Sequence, residues 1–546
     1  MKLKDFFSLL LIGLGLFTVT SCDDDDSPIS EVPYSVTIDE QSLNFAGTGG
    51  TASTNFTVAG GEFNIVPDNS GWYDYTTRLV EKDHLHQTYT LIVTAVANKG
   101  DKAGAPTRAS VPVGSARSAS ITINCGTASA TLTLNQAAPD PMIVADFTNK
   151  FTPGDIPDIS GSAEDAVKFA ESLGFGWNMG NHMDAWYTAD GKEISSETCW
   201  GNPEATAETF KKVKEAGFAS VRIPITWMGH ISASPSYTIE EAWLNRVAQL
   251  VDWAEEAGLK VIINMHHDGA NSEHWLDIKH AALDEEVNKR VEAQFASMWT
   301  QIAEKFKDKG NFLIFEPFNE IHDGGWGWGD NRTDGGKQYA IVNGWNQLFV
   351  NTVRATGGNN ATRYLAVIGY DTDIELTIDN LVIPTDVIKN RLIVGVHCYD
   401  PYLYTLENQF AQWGHVADAS KAPGDKETTL SNRMYKMADA YVNKGIPVYF
   451  GEMGCSERDN ETDEAYRRYY LHYFAKAARS YGFAAMVWDN GAEGGGREHH
   501  AYINHGTGEY PSDNAKEAVQ AIVNGYYCND PDFTLDYVYD HAPNYK

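Results

Sequence analysis

Hydrophobic and polar residues alternate with a period of two from about residue 34 to residue 138. The alternation is clearest at residues 89–96, 119–124 and 130–136, and Gly, Asn and Asp turns bound these runs. Such a pattern predicts antiparallel strands, each with one buried face. Several short strands at this spacing predict a small all-β, immunoglobulin-like sandwich over residues 34–138.

The pattern changes after a linker at residues 139–161, which is rich in Pro, Gly and Asp. Short apolar runs now alternate with amphipathic helical segments such as residues 205–216 and 239–257. Eight strand–helix units predict a (β/α)₈ TIM barrel of the α/β class over residues 162–530, because eight parallel strands close into a barrel without exposed edges. Residues 531–546 are predicted to form a C-terminal tail. The eight predicted strands begin at Phe175, Ala219, Lys260, Phe312, Tyr364, Leu392, Pro447 and Ala484.

The first residues are typical of a targeting signal. Two lysines precede an apolar run over residues 6–19 that is too short to span a bilayer, and the run ends just before Cys22. This arrangement resembles a bacterial lipobox, which predicts a signal peptide at residues 1–21 and lipidation of Cys22. The acidic segment 22–33 resembles the surface-export tag of Bacteroidetes lipoproteins, and it is also interpretable as a solvated tether. The expected location is the outer membrane, exposed on the cell surface.

The composition narrows the choice of partners. The formal net charge is −32 and the sequence pI is about 4.8, which argues against nucleic acid, because Lys and Arg drive phosphate binding. A neutral polysaccharide is compatible with this charge, and we expect a monomer. The five cysteines after Cys22 show no zinc-binding spacing and no disulfide framework. Most are expected to be buried thiols, although the pattern leaves one disulfide open.

Polar residues concentrate where the predicted barrel strands end, which is the face where TIM barrels carry their chemistry. The fifth strand offers little beyond Tyr370. The others bring Asn178 and Asn181 (first), Arg222 (second), His266, His267 and Asp268 (third), Asn319 and Glu320 (fourth), His397 and Tyr399 (sixth), Glu452 (seventh) and Trp488 (eighth).

Two glutamates among these residues, Glu320 and Glu452, each follow an apolar run. Two carboxyl groups on rigid strand ends can act as acid and nucleophile in the cleavage of a glycosidic bond. The alternative is that they are buried carboxylates paired for structural reasons. Glu316 is a rival acid, but it lies four residues before Glu320 and deeper in the strand, where an ion pair with Arg222 is the simpler interpretation.

The adjacent His266, His267 and Asp268 raise the question of a metal site. Neighbouring residues on a strand point in opposite directions, and no HExxH or cysteine pattern accompanies them. The sequence therefore calls for no metal and no cofactor.

Tryptophans and tyrosines divide into two groups. Those in helical patterns (Trp243, Trp253, Trp299 and Trp345) are expected to pack in the core. Those in segments after strands are candidates to stack on sugar rings, and we expect about half of them to line a cleft. Trp326, in a glycine-rich loop, is the strongest candidate of this second group, which comprises Trp186, Trp200, Trp227, Trp275, Trp326, Trp328, Tyr402 and Trp413.

Seven motifs in order along the barrel resemble glycoside hydrolase family 5, the cellulase family of retaining barrel enzymes. The resemblance extends from about Ala163 to Val523. The N-terminal region, with Thr131–Gln136 and Trp72, resembles the BACON module, for which a carbohydrate-binding role and a spacer role both stay open. The motifs are GWNMGN (176–181), VRIP (221–224), NMHHD (264–268), FNE (318–320), VHCY (396–399), FGE (450–452) and VW (487–488).

The resemblance implies that Glu320 is the acid/base and Glu452 the nucleophile, supported by Arg222, His266, Asn319, His397, Tyr399 and Trp488. Position by position, His266 rather than His267 matches the family's histidine. A retaining mechanism needs the two carboxyls about 5–5.5 Å apart. An ionised Glu452 would then raise the pKa of Glu320 and keep it protonated.

The other residues have expected roles around this pair. Arg222 and Tyr399 are expected to hydrogen-bond Glu452, and Asn319 to bind the sugar 2-hydroxyl. His397 is expected to orient Glu320 or a sugar hydroxyl, and Trp488 to lie under the sugar that is attacked. His267, Asn178 and Trp326 complete the predicted substrate-binding set.

The predicted function is a retaining endo-β-1,4-glucanase that hydrolyses a β-glucan such as a cellulose derivative, mixed-linkage glucan or xyloglucan. An endo-β-mannanase on the same fold is the enzymatic alternative, because the choice of epimer depends on loop contacts. A non-catalytic, glycan-binding surface lipoprotein is the other alternative. The presence of both glutamates argues against it.

Overall fold

The computed structural model describes residues 32–46, 49–68, 70–83, 85–96, 116–138 and 166–543. The predicted signal peptide, Cys22 and the linker 139–161 lie outside these residues. The chain divides into two compact units, one ending at Gln136 and one holding the barrel. None of the helices in the described ranges is long and apolar enough to cross a bilayer.

The N-terminal unit consists of two four-stranded sheets that share one hydrophobic core. The strand orders are β1-β3-β6-β5 and β2-β8-β7-β4, and only the β2–β8 pair is parallel. The strands are β1 (Ser35–Ile38), β2 (Ser42–Phe45), β3 (Gly50–Ala59), β4 (Phe63–Pro67), β5 (Tyr73–Lys82), β6 (His86–Ala95), β7 (Arg117–Cys125) and β8 (Ala128–Gln136).

The core of this unit explains the alternation in its sequence. Phe56 and Leu91 come from one sheet, Ile121 and Leu132 from the other, and all four are fully buried. Trp72 is 5% exposed and packs edge-on against Phe45, so it is a core residue. The unit is therefore all-β, whereas its immunoglobulin-like and BACON-like type stays a prediction.

Eight parallel strands of the second unit close into a barrel in the order β12-β13-β14-β15-β16-β17-β18-β9. This confirms the predicted TIM barrel and all eight of its strands. The remaining pair, β10 and β11, forms an antiparallel hairpin. The strands are β9 (Phe175–Met179), β10 (Trp186–Ala189), β11 (Lys192–Ser195), β12 (Ser220–Ile223), β13 (Lys260–Ile263), β14 (Leu313–Phe315), β15 (Leu365–Ile368), β16 (Leu392–Cys398), β17 (Val448–Met453) and β18 (Ala484–Asp489).

Helices follow the barrel strands and bury their apolar faces. Trp299 and Trp345 are fully buried, Trp243 is nearly so, and Trp253 packs partly buried against the same core, as expected. The helices are α1 (Ala166–Leu173), α2 (Ala207–Glu215), α3 (Glu241–Glu256), α4 (Ile278–Ala281), α5 (Glu285–Lys305), α6 (Lys337–Ala355), α7 (Ile374–Asn380), α8 (Tyr402–Thr405), α9 (Glu427–Ala440), α10 (Glu461–Tyr481), α11 (Asp513–Tyr527) and α12 (Leu535–Asp540).

The barrel unit extends beyond residue 530. Helix α12 lies within the predicted tail 531–546, and its Leu535 and Val538 are buried in the barrel core. The tail prediction missed this helix because only six residues carry its pattern. Thr534 caps it by accepting a hydrogen bond from the Tyr537 N–H.

Candidate active site

A cavity of about 860 Å³ opens where the barrel strands end. It brings together residues from strands that are far apart in the sequence. Nine of the eleven predicted catalytic and substrate-binding residues line it, namely His266, His267, Asn319, Glu320, Trp326, His397, Tyr399, Glu452 and Trp488. The other two, Asn178 and Arg222, are fully buried and do not line the cavity.

Arg222 organises the floor of the site. Its Nη1 donates to Glu452 Oε1 at 2.8 Å and to Asn178 Oδ1 at 3.0 Å. Its Nη2 donates to Asn319 Oδ1 and to Glu316 Oε1, both at 2.7 Å. One planar guanidinium therefore fixes the positions of four side chains from three other strands or strand ends.

Glu316 belongs to this floor and not to the reaction. It is 1% exposed and does not line the cavity. Its carboxylate also accepts hydrogen bonds from Tyr449 at 2.5 Å and from Asn264 at 2.8 Å. Burial would raise the pKa of Glu316, but the Arg222 charge and the hydrogen bonds from Arg222 and Tyr449 lower it. The structure thus supports the ion-pair interpretation over the rival acid.

Glu452 and Glu320 face each other across the cavity floor. Glu452 Oε2 accepts from the Tyr399 hydroxyl at 2.8 Å, and His397 Nδ1 lies 2.5 Å from Glu320 Oε1. One oxygen of each carboxyl and a nitrogen of His397 all lie within 4.8 Å of one another. This separation matches the short spacing of retaining glycosidases and not the 6.5–9.5 Å of inverting ones.

The protonation of this pair differs from the sequence-based expectation. Burial would raise the pKa of Glu320, but the charge and hydrogen bond of His397 lower it below its ordinary value. Burial raises the pKa of Glu452, and the charge of Glu320 adds to this, although His397 and Arg222 act in the other direction. The expectation that the pKa of Glu320 is raised was wrong, because it counted the charge of Glu452 and not the opposite effect of His397. A short hydrogen bond of 2.5 Å therefore joins the acid/base candidate to His397.

Asn264 sets the state of His266. The Ile225 N–H donates to Asn264 Oδ1, so the Asn264 amide nitrogen faces His266 Nδ1 at 3.1 Å and donates to it. Burial, followed by the neighbouring charges, lowers the pKa of His266 well below its ordinary value. His266 is therefore neutral and carries its proton on Nε2, which lies 3.9 Å from Glu452 Oε1.

The two adjacent histidines do not point apart as expected. Strand β13 ends at Ile263, so the strict alternation of a strand no longer holds at residues 266 and 267. Both rings line the cavity, with centroids 4.5 Å apart. Asp268 instead lies outside the cavity and accepts from the Trp227 N–H and the Trp275 indole.

Two groups of donor atoms are close enough to be compared with a metal site. One is Glu320, His397 and Glu452, and the other is Asp184, His266 and His267. Their nitrogen and oxygen donors are of the type that zinc accepts. In both groups protein hydrogen bonds already use donor atoms, since Arg222 bonds Glu452 and Asn264 bonds His266. The chemistry derived below needs no metal.

Comparison with known proteins decides the family. The sequence profile described as "Cellulase (glycosyl hydrolase family 5)" matches residues 187–494. Endoglucanase A of Paenibacillus barcinonensis is 35% identical over 347 residues, which are 60% of this chain and 83% of that protein. The chain belongs to glycosyl hydrolase family 5.

Solved structures agree with this assignment to family 5. A broad-specificity GH5-4 endoglucanase from Bacteroides salanitronis is 52% identical, with a TM-score of 0.65, and the match covers 70% of this chain and 98% of that one. A Bacteroides ovatus GH5 xyloglucanase, in complex with an XXXG heptasaccharide, is 26% identical with a TM-score of 0.59. That match covers 90% of this chain and 100% of the other.

Trp488 forms one wall of this family 5 site. Its ring stacks parallel to His266, with centroids 5.7 Å apart and an interplanar angle of 6°. A Cβ added to Gly180 would lie 2.6 Å from the Trp488 ring and 2.9 Å from the Asp489 carbonyl oxygen. Only glycine therefore allows Trp488 its position.

Fewer loop aromatics than expected line the cavity. Three of the eight candidates do so: Trp326, Trp328 and Tyr402. Trp326 is 57% exposed and Trp328 is 82% exposed, so both present broad apolar faces to solvent. Trp227 and Trp413 are instead fully buried and pack the loops.

The fifth strand contributes more than the sequence suggested. Tyr370 is buried, and its hydroxyl accepts from the Asp323 N–H and donates to Gln338. The next two residues, Asp371 and Thr372, line the cavity instead. Their position directly after a predicted strand was a usable signal. The sequence prediction stops at Tyr370, one residue before them.

All the cysteines within the described ranges are unpaired thiols. Cys398 and Cys455, the pair nearest the site in sequence, are both buried and free. The structure therefore contains no disulfide among the described residues, and the one that the sequence left open is not formed there.

Proposed function

We propose that this enzyme is a retaining endo-β-1,4-glucanase in which Glu452 is the nucleophile and Glu320 the acid/base. It acts on β-glucans, as a member of the cellulase family with endoglucanase relatives. The assignment of residues rests on one observation: an oxygen of one carboxyl lies within 4.8 Å of an oxygen of the other, and the two carboxyls have different partners. Glu452 is held by Arg222 and Tyr399, while Glu320 shares a proton with His397.

In the first step an ionised Glu452 oxygen attacks the anomeric carbon. The bond between that carbon and the leaving oxygen breaks, and Glu320 delivers a proton to the leaving oxygen. The proton comes from the short His397–Glu320 hydrogen bond. The products are a glycosyl ester on Glu452 and a shortened chain with a free hydroxyl.

In the second step Glu320, now ionised, takes a proton from water as the water attacks the same carbon. The ester bond breaks, and Glu452 leaves as a carboxylate. Arg222 and Tyr399 stabilise that carboxylate through hydrogen bonds of 2.8 Å each. Two inversions at one carbon give overall retention of configuration.

Three further residues are placed to bind the sugar that is attacked. Asn319 accepts from Arg222 through its amide oxygen, so its amide nitrogen is the donor available to a sugar hydroxyl. His266 carries its proton on Nε2 beside Glu452, and Trp488 presents its ring to the cavity. These side chains can strengthen their contacts as charge develops on the ring.

Exchanging each glutamate tests the roles. E320Q should reduce hydrolysis of glucan about 10²–10⁴-fold because it removes the acid, and E452Q should abolish it because no ester can form. E215Q, an exposed glutamate on α2, serves as the matched control. Near-normal activity of E452Q would contradict the assignment of Glu452 as the nucleophile.

Added azide separates the two roles. Azide can replace the missing carboxylate in the alanine variants. With an aryl β-cellobioside, E320A should give the β-glycosyl azide from the intact ester, whereas E452A should give the α-glycosyl azide by direct displacement. The reverse assignment of products would exchange the roles.

The preferred glucan is addressed by measuring carboxymethylcellulose, lichenan, xyloglucan and glucomannan side by side. One similar structure is a broad-specificity endoglucanase and another a xyloglucanase. An open cavity of about 860 Å³ with exposed Trp326 and Trp328 supports a broad preference that includes the branched glucan. Activity on glucomannan alone would contradict the glucanase proposal and favour the mannanase alternative.

The proposed location is the outer membrane, through a lipid on Cys22. The lysines, the apolar run and the acidic residues after Cys22 support it. Cys22→Ser should move the protein from the membrane fraction to the soluble fraction and abolish labelling with a fatty acid analogue. Protease treatment of whole cells would then distinguish a surface-exposed chain from one facing the periplasm.

For the N-terminal unit we favour a BACON-like spacer. The match to the xyloglucanase covers 90% of this chain, which is more than the barrel unit alone. The aromatic cluster of this unit is used in packing, because Trp72 is buried and Tyr73 and Tyr75 pack against the same core. Removal of the unit should leave binding to soluble glucan unchanged, and a loss of affinity would show that it binds glycan.

A further inference from the structure

The turn that follows the fifth barrel strand carries two strained residues. Asp371 and Thr372 have positive φ angles of 58° and 52°, a conformation that disfavours residues other than glycine. Both residues line the cavity next to Glu320. Strain of this kind persists at sites where the surrounding structure enforces it, and such positions concentrate at binding sites.

The carboxyl of Asp371 is an unused hydrogen-bonding group. Its Oδ1 is buried and has no hydrogen-bond partner among the described residues. Burial, followed by the charges of Glu320, Asp373 and Asp323, raises its pKa well above the ordinary value. The raised pKa favours the protonated carboxyl, which can donate a hydrogen bond as well as accept one.

The turn lies on the Glu320 side of the cavity. The Asp371 N–H donates to the Ile321 carbonyl at 3.0 Å, and the Thr372 hydroxyl lies 3.5 Å from Glu320 Oε1. The loop with Trp326 and Trp328 lies against the turn, because a Cβ on Gly327 would be 3.4 Å from Asp371 Oδ2.

This location has a direct consequence for the substrate. An acid/base carboxyl stands beside the bond to the leaving oxygen, while the nucleophile stands beneath the sugar that is attacked. A group next to Glu320 and away from Glu452 therefore meets the sugar that leaves. Asp371 lines the cavity in the turn beside Glu320, so its carboxyl is a candidate contact for this sugar.

We propose that Asp371 is a specificity-determining residue that hydrogen-bonds a hydroxyl of the leaving-group sugar. The proposal rests on the roles given above to Glu320 and Glu452. The substrate then supplies the partner that Asp371 Oδ1 lacks in the free enzyme, which explains why the fold retains an unpaired buried oxygen in a strained turn.

Two substrates distinguish an effect on this contact from an effect on the catalytic step. Cellotetraose places sugars on both sides of the cleaved bond, whereas an aryl β-cellobioside has no sugar on the leaving side. The quantity to measure is the ratio of kcat/KM for cellotetraose to kcat/KM for the aryl cellobioside. Loss of a contact to the leaving sugar lowers this ratio, because only cellotetraose makes that contact. A defect in the catalytic residues lowers both values of kcat/KM and leaves the ratio unchanged.

The variants are chosen for the positive φ angle. D371G removes the carboxyl and suits the backbone, and D371N keeps a donor and an acceptor in the shape of a protonated carboxyl. We expect the ratio to fall about tenfold in D371G, the size of one hydrogen bond, and to recover in D371N. D190G is the matched control, since Asp190 is exposed, has a φ of 52° and lies outside the cavity.

Two outcomes for D371G would contradict the proposed contact. A D371G ratio equal to that of wild type and D190G would overturn the proposal. Equal loss on both substrates would also overturn it, because that result indicates a structural effect on Glu320. The aryl substrate with E452Q tests the proposed function separately, so failure of the nucleophile assignment and failure of the Asp371 contact give different outcomes.

Discussion

Replacing Arg222 by Met removes the cation that holds the floor of the barrel together. Arg222 makes six hydrogen bonds, three of them to Glu316 and one to Glu452. Glu316 is 1% exposed and Glu452 is 5% exposed, so neither carboxylate can recover its hydration in the variant. Breaking a buried pair in this way costs about 3–5 kcal/mol.

The pH dependence of this loss has a definite sign. In wild type the folded-state pKa of Glu316 is lowered by Arg222, so its contribution to stability is present above the unfolded pKa and is lost as the pH falls through the folded pKa. Without Arg222 the two largest lowering effects are gone, and burial, the largest effect of all, raises the pKa of Glu316 against the weaker effects of Tyr449 and His397. The carboxyl then takes up a proton as the pH is lowered, and the gap between R222M and wild type should narrow from pH 8 toward pH 5.

Equilibrium urea unfolding of the full chain, followed by tryptophan fluorescence, measures the effect. Of the 14 tryptophans, all but Trp72 lie in the barrel unit, so the signal reports the barrel. R290M, at an exposed arginine on α5, should stay within about 0.5 kcal/mol of wild type. R222M/E316Q should recover part of the loss, since it removes one unpaired carboxylate. An R222M stability within about 1 kcal/mol of R290M at pH 7, well below the cost of a broken buried pair, would refute this account.

Two other predictions concern the walls of the site. In Tyr399→Phe the acid limb of the pH profile of kcat/KM should move to higher pH, because the Tyr399 hydroxyl lowers the pKa of Glu452 and the nucleophile must be ionised; an unchanged limb would show that this hydrogen bond does not set the pKa. In Gly180→Ala the new Cβ would overlap Trp488 at 2.6 Å, so the ring must move and KM for glucan should rise. Gly424→Ala is the control for the added methyl group, because Gly424 has no positive φ angle and a Cβ there meets nothing within 4 Å.

Much of the fold and of the site followed from local patterns in the sequence. In the N-terminal unit the strands are buried on one face, which gives the period of two. In the barrel they are buried on both faces, which gives the eight apolar runs. Both patterns are visible within a short stretch of sequence. Glu320 and Glu452 were identifiable because each follows an apolar run that forms a buried barrel strand. Their shared face is implied by the parallel order of the barrel strands.

Other features depend on contacts between distant segments. The pKa of Glu320 is lowered and not raised as expected, because His397, 77 residues away in sequence, lies 2.5 Å from it. The neutral state of His266 depends on an amide whose orientation the Ile225 backbone sets. Electrostatic interactions fall off with distance in space and not along the chain, so a sequence that identifies the charged groups does not state their pKa values.

The sequence by itself therefore determined the barrel, the strand ends and the two carboxyls, because the hydrophobic pattern of each strand depends only on residues that are neighbours in the sequence. Only the tertiary structure decided that Arg222 joins Glu316 to Glu452, that Glu316 is excluded from the cavity, and that Asp371 enters it. These outcomes depend on side-chain direction and on the distance between residues from different strands. The closed barrel sets both, when it brings eight separate strand ends to one face.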